Sequence, residues 1–400
     1  MRDELLRRYA DLVVEVGANV QPGQIVSVQA DTEAAPFARV VAASAYRHGA
    51  RFVDPNYVDT YIKRARLEHA AEETLDYVPP WYGERLLAQG EHRAARISIV
   101  PSPSPGILDG IDPERAAKDA LPFLPETFQV INARTTNWTV VAYPTAAWAR
   151  LVHPALDADA ALERLWQEVA HVCRLDEPDP AAAWRQRRDQ LRAVAERLTE
   201  HRFDALHLEG PGTDLTLGLL PGSVWAGGGD TNAHGIEHLS NLPTEEVFTA
   251  PDPQRADGVV RATKQLVLAG STVEGLTVRF ERGRAVQIDA ETNAEVLRGH
   301  TVRDDGAARL GELALVDGAG RIGKLGTTFF TTLLDENAAS HLAFGNAYER
   351  SAATPEDVKR LNRSAIHVDF MVGSDDVSVT GLTKDGREVP VLRGGAWQLP

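Results

Sequence analysis

The first half of this 400-residue chain alternates between helix-like and strand-like segments. Apolar residues recur at helical spacing over residues 5–16, and the strand-like segment Ile25–Val28 follows. A second helical pattern, for which Asp31 and Thr32 supply a cap, precedes another strand-like run at residues 52–53. Because parallel strands need a long crossover connection, usually a helix, this alternation predicts a parallel sheet with helices on its faces.

The alternation continues through two long helical patterns. Strand-like runs lie at residues 95–100 and 138–142, and the helical patterns cover residues 157–173 and 182–201. The proline-rich segment Pro101–Gly106 cannot continue a strand and predicts a loop.

Beyond the second long helix, the pattern changes to short strands separated by glycine, proline and aspartate. The strand candidates lie at residues 206–208, 215–217, 277–280 and 285–288. A chain of 400 residues is also too long for one typical hydrophobic core. We therefore predict an α/β protein of two domains. Residues 1–202 would form an N-terminal α/β domain with a mainly parallel sheet, and residues 203–400 a β-rich α+β domain with most of the candidate site residues.

Composition excludes several functional classes. The formal net charge of −15 would repel a phosphate backbone, so nucleic-acid binding is not expected. The single cysteine, Cys173, cannot form an intrachain disulfide and is typical of a reducing compartment. The sequence shows neither a signal-peptide pattern nor an apolar run long enough to span a bilayer. We expect a cytoplasmic enzyme or binding protein with no nucleic-acid or membrane partner.

The segment Ile366–Met371 alternates apolar and polar residues with period two, as in a strand with one buried face. Its polar residues, His367 and Asp369, leave the same face side by side. An imidazole and a carboxylate in this arrangement are suited to hold a metal ion, and an ordinary hydrogen-bonded pair has the same pattern. The pair becomes informative only together with further ligands upstream.

Two upstream segments supply carboxylates. After Pro243 the chain has an extended pattern, so Glu245 and Glu246 face opposite sides and only one can enter a given site. A solvent-exposed acidic pair is the alternative. Glu312 lies alone in the apolar run at residues 311–316, where a carboxylate is seldom buried unless it is paired or bound to a metal. A solvent-facing position on an edge strand is the alternative for Glu312.

The third upstream segment spans residues 334–348. A helix over its first part would place Asn337 and His341 on one face and would end at Gly345. Tyr348 would then lie on a loop beyond the helix, from which its hydroxyl can reach into a cleft. A capping histidine and a packed tyrosine are the alternatives for these two residues.

Together these segments resemble the motif blocks of the M29 family of metallo-aminopeptidases. The blocks follow the family's order along the chain, at residues 243–249, 311–316, 337–348 and 367–371. The resemblance implies two divalent metal ions per chain, Zn²⁺ or Co²⁺, with Mn²⁺ or Mg²⁺ as alternatives. The residues that match the family's metal ligands are Glu246, Glu312, His341, His367 and Asp369. The choice of Glu246 over Glu245 rests on this match.

The resemblance also implies an activity: a metal-dependent aminopeptidase that releases N-terminal amino acids from short peptides through a dinuclear metal-bound water or hydroxide. Three carboxylates and two imidazoles exceed the needs of one four-coordinate zinc and suit two ions that share a carboxylate. By the same match, Tyr348 is the active-site tyrosine and would donate a hydrogen bond to the tetrahedral intermediate. Glu245 is a candidate general base or supporting partner. Members of the family form homodimers, which implies a homodimer here.

Two other functions remain open at this point. His341, His367 and Asp369 alone form the two-histidine, one-carboxylate set of mononuclear Fe(II) oxygenases, and relatives of the family include ring-cleaving dioxygenases. A single iron has no need for Glu246 and Glu312, which favours the dinuclear site. A non-catalytic peptide- or metal-binding protein would have the same sequence features.

Overall fold

A computed structural model gives the fold and describes residues 2–100, 106–108, 110–119, 121 and 124–399. Most of the predicted loop at Pro101–Gly106 lies outside the described residues. The α-helices of the described part are α1 Arg2–Leu12, α2 Ala35–Arg47, α3 Thr60–His69, α4 Trp81–Glu91, α5 Pro113–Lys118, α6 Pro125–Asn132, α7 Ala146–Val152, α8 Ala158–Val172, α9 Pro180–His201, α10 Ala294–Thr301, α11 Arg321–Leu325, α12 Thr332–Asp335 and α13 Pro355–Arg360.

The β-strands of the described part are β1 Ile25–Asp31, β2 Phe52–Val58, β3 Ala95–Ile99, β4 Asn137–Val141, β5 Ala205–Gly210, β6 Thr213–Leu219, β7 Ala226–Gly227, β8 Asp230–Thr231, β9 Glu237–His238, β10 Asn241–Leu242, β11 Glu246–Thr249, β12 Pro251–Arg261, β13 Leu266–Leu268, β14 Ser271–Val273, β15 Thr277–Glu281, β16 Arg284–Asp289, β17 Leu310–Val316, β18 His341–Gly345, β19 His367–Met371, β20 Ser378–Leu382, β21 Glu388–Arg393 and β22 Ala396–Trp397.

The chain divides into two compact units. The first comprises Met1–Ile111, Lys118–Asp189 and Gly229–Thr244; the second comprises Asp112–Ala117, Gln190–Gly228 and Glu245–Pro400. The boundary expected at residue 202 lies inside the second unit, because the division falls within the long helix α9, where composition does not change. Gly229–Thr244 belongs to the first unit because β10 joins its sheet through β4, a pairing between segments far apart in the sequence.

The first unit contains a five-stranded parallel sheet with the order β10-β4-β3-β1-β2. Its strands β3 and β4 bury alternate residues; in β3, Ala95, Ile97 and Ile99 are buried and Arg96 and Ser98 are partly exposed. The helices α8 and α9 nearly coincide with the two long helical patterns of the sequence. The predicted parallel sheet with intervening helices is therefore confirmed.

The second unit is built on two antiparallel sheets that share one hydrophobic core. The larger has the strand order β16-β15-β12-β6-β5-β20-β21-β22, and the smaller has the order β19-β18-β17-β11-β7. Side chains of both sheets meet in the core, where the ring of Phe280 lies 5.7 Å from that of Phe344, and Phe344 lies 5.3 Å from Phe370. The β-rich character predicted for the C-terminal half is confirmed.

The five-stranded sheet of the second unit has one apolar and one polar face. Its core-facing residues include Val247, Leu313, Leu342, Val368 and Phe370. Since side chains alternate between the two faces of a strand, the intervening residues lie together on the opposite face. That face carries Glu246, Glu312, His341, His367 and Asp369.

Residues 341–345 form the strand β18. The prediction of a helix that ends at Gly345 was therefore wrong. The helix α12 ends at Asp335, and Asn337 lies in the turn before the strand. The segment also carries a period-two pattern, in which Leu342 and Phe344 face the core. Hydrogen-bonded pairing with β17 on one side and β19 on the other favours the strand, and local helical spacing cannot compensate for the loss of this pairing.

Gly345 is the residue at which β18 ends, and its conformation generates a stability prediction. It has φ +94°, and a Cβ atom there would clash with the carbonyl oxygen of Ile366. We expect Gly345→Ala to lower the free energy of unfolding by about 2–5 kcal/mol, because left-handed strain and a backbone clash add together. The matched control is Gly386→Ala, with φ +82° and nothing within 4 Å of the added atom, which should cost about 1–2 kcal/mol. If urea unfolding experiments show the same loss of free energy of unfolding for both variants, the predicted clash at Gly345 is contradicted.

Candidate metal centre

Four adjacent strands carry the five predicted metal ligands. Glu246 begins β11, Glu312 lies in β17, His341 begins β18, and His367 and Asp369 lie in β19. Because β17 is an interior strand of its sheet, the edge-strand alternative for Glu312 is excluded. Each of the five side chains is at most 13% exposed, so the solvent-facing alternative for Glu246 is excluded as well.

Glu312 lies between the two histidines. Its Oε1 atom is 3.6 Å from Nε2 of His341, and its Oε2 atom is 3.7 Å from Nε2 of His367. Nε2 of His341 is also 3.1 Å from Oε2 of Glu246, and Nε2 of His367 is 3.3 Å from Oδ1 of Asp369. The single carboxylate of Glu312 therefore faces two separate imidazole–carboxylate pairs with its two oxygens.

The side chains form three overlapping groups in which the ligand atoms lie within 4.8 Å of one another. The groups are Glu246, Glu312 and His341; Glu312, His367 and Asp369; and Glu336, His341 and Asp369. Glu312 is the member common to the first two groups. Each group has the oxygen and nitrogen donors that divalent transition metals accept.

Glu336 is a member that the sequence analysis missed. It directly follows α12 and is buried with the other carboxylates. Its neighbour Asp335 instead accepts hydrogen bonds from the backbone N–H groups of Phe329 and Thr331, at 2.9 and 3.2 Å. The only signal in the sequence was an acidic pair, Asp335-Glu336, of which one member enters the site, as in the pair Glu245-Glu246.

Backbone contacts orient both imidazoles. Nδ1 of His341 lies 3.2 Å from the carbonyl oxygen of Ala339, and Nδ1 of His367 lies 2.8 Å from that of Asn346. Because a carbonyl can only accept, each Nδ1 must carry a proton, and in a neutral imidazole the lone pair on Nε2 then points at the carboxylates. Two acceptors face each other in this way only when a proton or a cation lies between them.

Carboxylates outnumber the positive charges in the centre. Burial raises the pKa of Glu312 and, together with the charge of Asp369, raises that of Glu336 well above its usual value. Burial lowers the pKa of His367, but the charge and hydrogen bond of Asp369, the charge of Glu312 and the hydrogen bond to the backbone of Asn346 together outweigh burial and raise the pKa to about 10. Protonation of the His367 imidazole is therefore favoured, and Nε2 is the atom at which a metal ion would replace the proton.

The donors fit divalent cations in three further respects. Oε2 of Glu246 has no aligned hydrogen-bond donor within the described part of the chain, although it is buried. Four carboxylates would be neutralised by two divalent ions. The residue between Glu312 and Asp369 in the sheet is small: Ala343 pairs with both of them, and it is fully buried. A short side chain at this position leaves room above the sheet.

Tyr348 lies beside this cluster, beyond the end of β18. The centroid of its ring is 5.2 Å from that of His367, and its side chain remains partly exposed. Burial raises the pKa of Tyr348 well above its usual value, and the charges of Glu312 and Asp369 raise it further, so the hydroxyl keeps its proton and can donate it in a hydrogen bond.

Glu245 is buried but belongs to none of the three ligand groups. Its backbone N–H donates a 2.7 Å hydrogen bond to Oδ1 of Asn337, whose Nδ2 donates to the carbonyl of Leu333 at 2.8 Å. Asn337 thereby ties the start of β11 to the turn that carries Glu336. This contact positions Glu246 and Glu336, two of the candidate metal ligands, relative to each other.

The fold and this donor set define a metal-binding enzyme of the metalloprotease class. The chain belongs to the M29 family, described as thermophilic metalloprotease, whose profile matches residues 2–397. The resemblance found in the sequence is thus confirmed, and the family implies a divalent metal.

Curated relatives cover nearly the whole chain. Aminopeptidase T of Thermus aquaticus is 44% identical over 405 residues, which cover 99% of each chain. Aminopeptidase T of Thermus thermophilus is 42% identical and aminopeptidase AmpS of Bacillus subtilis is 40% identical, each over 98% of both chains.

Two solved structures share the fold. Wild-type AmpT from Thermus thermophilus matches with a TM-score of 0.89 at 42% identity, over the full length of both chains. A 2,5-dihydroxypyridine dioxygenase from Pseudomonas putida KT2440 matches with a TM-score of 0.57 at 13% identity, over 100% of this chain and 98% of that one. At 13% identity, this second likeness shows the fold alone.

The small residue Ala343 generates a prediction about metal binding. Ala343→Leu would extend a side chain between Glu312 and Asp369, so we expect bound metal to fall well below the wild-type content. Ala343→Ser adds little volume and should bind metal as the wild type does. Metal content after dialysis against zinc can be measured by elemental analysis, with thermal melting as a check on folding. Wild-type metal content in folded Ala343→Leu would show that this space does not hold the ions.

Proposed function

We propose that this protein is a metal-dependent aminopeptidase that releases N-terminal amino acids from short peptides. The observation that carries the proposal is the position of Glu312, whose two oxygens face separate ligand groups. Such a shared carboxylate is what a pair of divalent ions requires and a single ion does not. The relatives at about 40–44% identity are named aminopeptidases, which supports the choice of reaction.

Zn²⁺ or Co²⁺ are the ions we propose, two per chain, with Mn²⁺ or Mg²⁺ as alternatives. Glu246, Glu312 and His341 would hold one ion, and Glu312, His367 and Asp369 the other, with Glu336 beside His341 and Asp369. When bound, such ions lower the pKa of water and polarise the scissile carbonyl.

The chain's own residues would orient the peptide. The excess of carboxylates attracts the positively charged α-amine of a free N-terminus, which would restrict cleavage to the first residue. The hydroxyl of Tyr348 would donate a hydrogen bond to the carbonyl oxygen as negative charge develops on it. Glu245 would act as a supporting partner, because strand alternation directs its side chain away from Glu246, and its backbone N–H is bonded to Asn337.

Two features concern the whole molecule. Among the described residues, no helix has both the length and the apolar character that crossing a membrane requires. We place the enzyme in the cytoplasm, since its one cysteine, Cys173, is a buried free thiol.

We also propose a homodimer. Most of the large exposed apolar side chains of the described residues come from residues 46–87 of the first unit, and exposed apolar surface is common at subunit interfaces; they include Phe52, Tyr57, Tyr61, Ile62, Trp81 and Tyr82.

Removal and return of metal test the activity. With a panel of aminoacyl-p-nitroanilides, we expect turnover by the metal-loaded protein, loss of turnover after chelation, and recovery with Co²⁺ or Zn²⁺. Elemental analysis should find two ions per chain. Full activity in the metal-free protein would refute the mechanism. One iron per chain would favour a ring-cleaving dioxygenase, and metal binding without turnover of any peptide substrate would favour a binding protein.

Light scattering tests the homodimer. We expect a mass of about twice that of the 43.5 kDa chain. Replacing both Tyr61 and Ile62 by glutamate should shift the mass toward the monomer, because burial of two unpaired charges opposes association. The matched control is Val302→Glu, at a residue that is 80% exposed in the second unit, which should leave the mass unchanged. A monomeric wild-type protein would contradict the proposal.

A further inference from the structure

Tyr348 lies against a second ring besides that of His367. The centroid of the Phe248 ring is 5.9 Å from that of Tyr348, and the two planes meet at 61°, an edge-to-face contact. Tyr348 lies beyond the end of β18, at the start of a short 3₁₀ turn. Because a partly exposed tyrosine outside a strand or helix can rotate, the rings that it touches restrict where its hydroxyl points.

Phe248 is a rigid support for such a contact. It lies on β11, two residues after Glu246, and therefore on the same face of the strand. It is 3% exposed and pairs across the sheet with Ala314 of the interior strand β17. The strand that supplies a candidate metal ligand thus also supplies the ring that meets Tyr348.

Arg350 covers Phe248. The Cζ atom of its guanidinium lies 4.6 Å from the centroid of the Phe248 ring, within the range of a cation–π contact. Arg350 follows Tyr348 by two residues, so the same short segment touches Phe248 twice, through the tyrosine ring and through the guanidinium. These two contacts restrain both the segment and the Phe248 ring.

We propose that Phe248, held in place by Arg350, is a positioning residue that fixes the ring of Tyr348 at the metal centre. The proposal rests on the proposed aminopeptidase function, in which the tyrosine hydroxyl donates to the reacting carbonyl oxygen. A small misplacement of such a donor weakens a hydrogen bond that matters most in the transition state. Loss of Phe248 should therefore lower kcat more than it raises KM.

A double-mutant cycle tests this coupling in metal-loaded enzyme. The four proteins are the wild type, Phe248→Leu, Tyr348→Phe and the double variant. Loss of an aromatic contact predicts that Phe248→Leu lowers kcat by about 2–10-fold and changes KM by less than about twofold. In the Tyr348→Phe background no hydroxyl remains to be positioned, so the same replacement should lower kcat by less than about twofold.

Further variants separate positioning from general stability. Phe248→Tyr keeps the ring and should retain wild-type kcat. Arg350→Met removes the cation above the ring and should lower kcat, as Phe248→Leu does. Phe280→Leu removes a buried ring of the other sheet, and it should lower the melting temperature while kcat is unchanged.

If Phe248→Leu lowers kcat by the same factor in the wild-type and Tyr348→Phe backgrounds, this inference is overturned. The proposed function would still stand in that case, provided that the wild-type protein turns over peptide substrates. If Phe248→Leu does not fold, Arg350→Met in the same two backgrounds makes the same comparison. Absence of wild-type turnover would overturn both.

Discussion

The burial of four carboxylates beside two imidazoles is the constraint on which the second unit depends. The carboxylates repel one another, and burial penalises their charged forms; both effects raise the pKa values of Glu312 and Glu336. The same five-stranded sheet packs its other face into the core through rings such as Phe344 and Phe370. The apolar face thus holds in place a polar face that would not assemble by itself. Because cations relieve the repulsion, bound metal should also stabilise the fold.

Much of this arrangement could be predicted because strand alternation is a local property. The period-two pattern of residues 366–371 correctly placed His367 and Asp369 on one face, and the structure finds Val368 and Phe370 in the core. The isolated carboxylate in an apolar run left burial and a solvent-facing edge position open for Glu312, and the structure shows that Glu312 is buried. For these residues the neighbours along the chain already determine which face a side chain occupies.

The errors arose where distant segments decide the outcome. The segment around His341 carries both a helical and a period-two pattern, and only pairing with β17 and β19 selects the strand. Glu336 has no periodic context of its own, since it lies in a turn whose direction depends on the contacts of Asp335 and Asn337. Likewise, the pairing of β10 with β4 joins residues about one hundred positions apart in the sequence, which no local pattern reports.

The fold alone does not separate the two chemistries found on it. A dioxygenase at 13% identity shares the architecture, and His341, His367 and Asp369 are the kind of set that binds a single iron. In this chain β11 and β17 place Glu246 and Glu312 on the same face as the histidines, and a single iron has no need for these two carboxylates. Without those two carboxylates, the remaining donors would suit one ion. With them, Glu312 has one oxygen for each of two ligand groups, and so the proposed pair of ions depends on two side chains of neighbouring strands.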